Sequence, residues 1–82
     1  MRNPALNNAI LRILARVGCG LREKTLQSEV ELAMDRPDLT TDEFLDALGH
    51  LEDRALVDRW TNLIGDTVWG VSAMGRDALK GL

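Results

Sequence analysis

Eighty-two residues suffice for one small domain and exclude two. Apolar residues make up 45% of the chain and charged residues 28%, which excludes a disordered tail, and no apolar run approaches the roughly 18 residues of a membrane span. The net charge is −3, from ten Lys and Arg against thirteen Asp and Glu. The opening Met1-Arg2-Asn3-Pro4 lacks the long apolar core of a signal peptide. The single cysteine, Cys19, has no partner for an internal disulfide, so a reducing, cytoplasmic setting is expected.

Asn3-Pro4 reads as a helix start, because Asn suits the N-cap and Pro the first helical position. Leu6, Ile10, Ile13, Leu14 and Val17 then recur at helical spacing, and Gly18 and Gly20 supply left-handed stops. A first helix over 4–17 follows. A second, over 26–35, is expected from Thr25 as N-cap and from Leu26, Val30, Ala33 and Met34 on one face. Asp35-Arg36-Pro37-Asp38 ends it, since a residue before proline avoids helical angles.

Thr40-Thr41-Asp42-Glu43 is a capping-box pattern in which Thr40 caps and Glu43 reaches back. Phe44, Leu48, Leu51 and Ala55 continue it as a third helix over 41–55. Beyond Leu56 the composition turns β-branched and aromatic. Strands over 57–62 and 67–71 are expected, joined by a loop at Leu63–Asp66. Ser72 offers an N-cap for a last helix, Ala73–Lys80, closed by Gly81.

This order resembles the winged helix-turn-helix family over nearly the whole chain. The stretch from Glu43 to Val57 is similar to that family's third helix running into its first wing strand, with Ala55 where the family usually has glycine. Val68-Trp69-Gly70-Val71-Ser72-Ala73-Met74-Gly75 is similar to the returning strand and its "Thr-x-x-Gly" turn, with Ser72 in the threonine place. The resemblance implies a mainly α fold with a small β-hairpin: one domain over 1–82, a three-helix bundle with a two-stranded wing and a short C-terminal helix. It also implies a helix three that enters the major groove of DNA, with the wing against the backbone or minor groove.

The charge map bears on that role. Residues 1–22 hold four arginines and no acid, whereas residues 41–53 hold five acids and no Lys or Arg. At about 100° per residue, the side of helix three opposite Phe44 carries Asp42, Asp46 and Asp53, flanked by Gly49, His50 and Glu43. Affinity for a duplex comes largely from Lys and Arg on phosphates, so this face repels DNA. Contacts to double-stranded DNA would then fall to Arg54, Arg59, Arg22 and Arg76, in a homodimer. The alternative is a protein-interaction adaptor that docks through Asp42, Asp46, His50 and Asp53. The same acids also fit a plain solvated face.

Other residues carry less. Trp69 shares a strand face with Thr67 and Val71 and is expected in the core, while Trp60 is as well suited to the surface. Leu11, Leu32, Leu45 and Leu63 fall off the main stripes and are candidate contact residues. Cys19, between two glycines, has no His or Lys beside it to activate the thiol. One His with scattered acids is not a metal cluster, and no nucleophile–base pair or phosphate-binding glycine loop is present. No enzyme activity, cofactor, metal or membrane partner is expected.

Overall fold

A computed structural model describes residues 4–81. The elements run α1 (Pro4–Val17), β1 (Leu21–Arg22), α2 (Glu23–Met34), α3 (Thr41–Asp53), β2 (Val57–Thr61), β3 (Thr67–Val71) and α4 (Ala73–Lys80). This is the expected helical bundle with its hairpin and closing helix. The cap expected at Asn3 lies outside the described residues.

The apolar stripes meet in one core. Leu6, Ile10 and Leu14 of α1, Leu26 and Val30 of α2, and Phe44, Leu48 and Leu51 of α3 are all buried. Leu39 enters from the turn between α2 and α3, and Val57 and Trp69 enter from the sheet. Leu11, off the main stripe, is buried as well. Ala33 is instead exposed, because α2 turns only Leu26 and Val30 fully inward.

The start of α2 differs from expectation. Leu21 and Arg22 pair with Trp69 and Val68, making a third strand in the antiparallel order β1-β3-β2. That long-range pairing delivers the chain extended at Arg22, so the helix begins at Glu23 rather than after Thr25. Thr25 is an exposed residue within the first turn, and Arg22 stands at the cap without a side-chain hydrogen bond. Gly18 and Gly20, with φ of 81° and 87°, make the reversal between α1 and β1.

Thr40 caps α3 as expected, its hydroxyl accepting from the Glu43 amide at 3.1 Å. The Glu43 carboxylate does not reach back. It is held by the Arg36 guanidinium in a two-pronged pair at 3.0 and 3.1 Å. Arg36, which also meets Asp38 at 3.5 Å, therefore fastens the α2–α3 turn to the first turn of α3. These hydrogen bonds, Glu43 first, raise the already high guanidinium pKa.

Helix three ends at Asp53, two residues early, because Ala55 takes a left-handed φ of 59°. The reversal is pinned from above by Ser72. Its hydroxyl donates to the Ala55 carbonyl at 2.6 Å and accepts from the Gly75 amide at 3.0 Å. Its own amide donates to the Leu56 carbonyl at 3.1 Å. A Cβ at Gly75 would collide with the Leu56 carbonyl oxygen. The Ser-x-x-Gly turn thus needs a small hydroxyl residue and a bare backbone at these two places.

Two opposite changes test this junction. Ala55→Gly should raise stability by about 1 kcal/mol by relieving the left-handed residue, and Gly75→Ala should lower it by about 1–3 kcal/mol through overpacking. Urea unfolding of the two variants beside the parent chain reads both signs.

Candidate nucleic-acid interface

Three exposed regions are the start of α2, the outward side of α3 and the wing formed by β2 and β3. Their local chemistry differs sharply.

At the start of α2 the first-turn amides lack a side-chain cap, and the positive end of the helix dipole favours an anion there. Glu23 occupies this turn, but its carboxylate accepts the Trp69 indole N–H at 3.0 Å. Trp69 is buried as expected. Lys24 and Thr25 are exposed, and with Arg22, Gly65, Asp66 and Thr67 they line a half-open groove between α2 and the wing. Lys24 makes no ion pair with a described residue.

The outward side of α3 is acidic. Phe44 is fully buried, and Asp42, Asp46 and Asp53 are exposed. None of the three is paired with a described cation. Leu45 lies exposed beside Asp46, and His50 is half-buried at the edge of this face. Two more carboxylates on α3 are taken up internally, Glu43 by Arg36 and Glu52 by Arg59.

The four arginines that the sequence singles out each have different contacts. Arg59 pairs with Glu52 at 3.2 Å, and its guanidinium carbon lies 5.7 Å from the centre of the Trp69 ring. Arg22 reaches Asp66, in the wing-tip turn, at 3.5 Å. Arg76 donates to the Ala15 carbonyl near the end of α1 at 3.4 Å. Arg54 sits on the opposite flank, on a shallow groove shared with Asn7, Leu11, His50, Leu56 and Ala78. No two of these arginines share a described partner.

The wing tip is the feature that sequence reasoning undervalued. Asn62 organises it: its side-chain oxygen accepts from the amides of Ile64 and Asp66 at 3.1 and 2.9 Å. Its backbone amide donates to the Asp66 carbonyl at 3.0 Å, and Gly65 takes a φ of 91°. Leu63 then projects fully exposed, and Ile64 largely so. Two adjacent aliphatic residues in a turn, where polar residues are usual, were the available signal. Ile64 and Lys24 gave no periodic signal of their own.

No family model and no curated protein matches the chain. Among solved structures, a transcriptional regulator from Clostridium thermocellum superposes on 93% of this chain and 74% of its own, with a TM-score of 0.75 at 13% identity. The fold is a winged helix. Among the described residues no group of three His, Cys, Asp or Glu could hold a metal ion, and no helix is long and apolar enough to cross a membrane.

The Glu23–Trp69 bond joins the winged helix's α2 to its sheet. Glu23→Ala should leave a buried indole N–H without its acceptor and cost about 1–2 kcal/mol, measurable as a shift of the urea midpoint at unchanged slope.

Proposed function

We propose that this chain is the DNA-binding domain of a transcriptional regulator. The observation that carries the reading is the superposition of its whole winged helix on a protein that is itself a transcriptional regulator. In this reading the start of α2 meets the phosphate backbone, with Lys24 and the uncapped first-turn amides as donors. Helix three contributes selection more than attraction. Its aspartates can accept only from a base-edge donor such as the cytosine amino group, and they penalise every other register. Affinity for a single domain is accordingly modest and a second copy of the domain supplies the rest.

The exposed, unpaired Asp42, Asp46 and Asp53 favour a second reading, a protein adaptor that presents this face to a basic partner. The two separate by charge reversal. If the chain binds DNA, Asp46→Asn should tighten binding to a labelled duplex severalfold in fluorescence anisotropy. Lys24→Ala should weaken it and lower the salt slope by about one. If it is an adaptor, the parent chain shows no duplex binding even at low salt, and changing Asp42, Asp46 and Asp53 together to lysine abolishes partner capture.

A further inference from the structure

We propose that the wing tip is an apolar wedge: Leu63 and Ile64 enter a minor groove at a flexible step and part its stacked base pairs, bending the duplex. This rests on the DNA-binding reading and gives the wing a specific task within it.

Five observations carry it. The tip holds the most exposed pair of adjacent aliphatic side chains described in the chain. The turn beneath them is built rather than loose, because Asn62 accepts two amides and pairs its backbone with Asp66. From Trp60 to Gly75 there is no Lys or Arg, so the tip carries no cationic side chain to pair with a phosphate. The one acid beside it, Asp66, already faces Arg22. The wing borders the same groove as Lys24 and Thr25, which places the wedge beside the phosphate-binding end of α2.

Size argues for a base step over a protein surface. A stable protein interface buries roughly 800 Å² on each partner, far beyond two side chains. The wing around the tip is Thr61, Asn62, Asp66 and Thr67, without a continuing apolar patch, and Trp60 folds back over Gly20 and Gly70. A base step needs only one or two aliphatic side chains, and Leu and Ile are among those that wedge duplexes open. Strands lie about 4.8 Å apart before side chains are counted, against a minor groove about 6 Å wide. The ribbon therefore enters only where the groove widens, which pyrimidine–purine steps such as TpA permit most readily.

The test uses a short duplex containing several TpA steps, with 2-aminopurine beside them and a donor–acceptor dye pair at its ends. Anisotropy on the same sample reports binding. The parent chain should raise both 2-aminopurine fluorescence and energy transfer as it binds. The double variant Leu63→Ser/Ile64→Ser should bind severalfold more weakly, with both signals lost and the salt slope unchanged. Leu63→Lys/Ile64→Lys should retain or gain affinity with a steeper salt dependence, yet still fail to unstack the step. Circular dichroism checks that both variants keep the fold. The wedge is overturned if the parent binds without either signal, or if the serine variant matches the parent. It is also overturned if that variant changes only the sedimentation of the free protein, which would make the tip a contact between copies. Absence of binding by the parent at low salt overturns the DNA-binding reading itself, and the wedge with it.

Discussion

The architecture turns on one junction, where α3 ends and the wing begins. Ala55 reverses the chain, the Ser72 hydroxyl bridges the Ala55 carbonyl to the Gly75 amide, and Gly75 leaves space for the Leu56 carbonyl. Four elements meet there: α3 arrives, β2 departs, β3 returns and α4 starts. The angle between helix and wing is therefore set by polar contacts with little slack rather than by the side chains of the core. Apolar packing can slide by a fraction of an ångström at small cost. A short hydroxyl–carbonyl bond and a backbone-to-backbone contact without a Cβ cannot.

Electrostatics divides the surface in a second way. Several arginines have partners within the chain: Arg36 on the turn, Arg59 on Glu52 and Trp69, and Arg22 on Asp66 of the wing tip. Exposed ion pairs of this kind add little stability. Their larger effect is to cancel charge locally, which leaves the unpaired aspartates of α3 as the strongest feature of that side. The exposed carboxylates of such a face repel like charge and attract a donor or a cation.

Much of the fold was legible in the sequence. The 3.6-residue stripes marked the helices, Thr40 and Ser72 announced their own caps, and the hairpin followed from its β-branched runs. What escaped were features fixed by distant partners. Two residues, Leu21 and Arg22, carry no period, and only pairing with β3 makes them a strand. Glu43 looked like a capping-box acid because Arg36 is recruited by the geometry of the turn, not by spacing along one helix. The candidate site shows the same limit. The acidic side of α3 could be read from a helical wheel, but the partners of Arg22, Arg59 and Arg76 lie 44, 7 and 61 residues away in sequence. No local pattern says which cations remain available.

Trp60 adds a constraint of another kind. Its ring lies flat across Gly20 and Gly70, so close that a Cβ at either glycine would stand 2.8 Å from it. One indole thus roofs the outer side of a three-stranded sheet that has no helix there to shelter it. Any side chain introduced at either glycine would lever that roof away and bare a flat strip of strand beside the open edge of β2. Such a surface invites other chains to add to it. The two glycines therefore let the indole lie against the sheet.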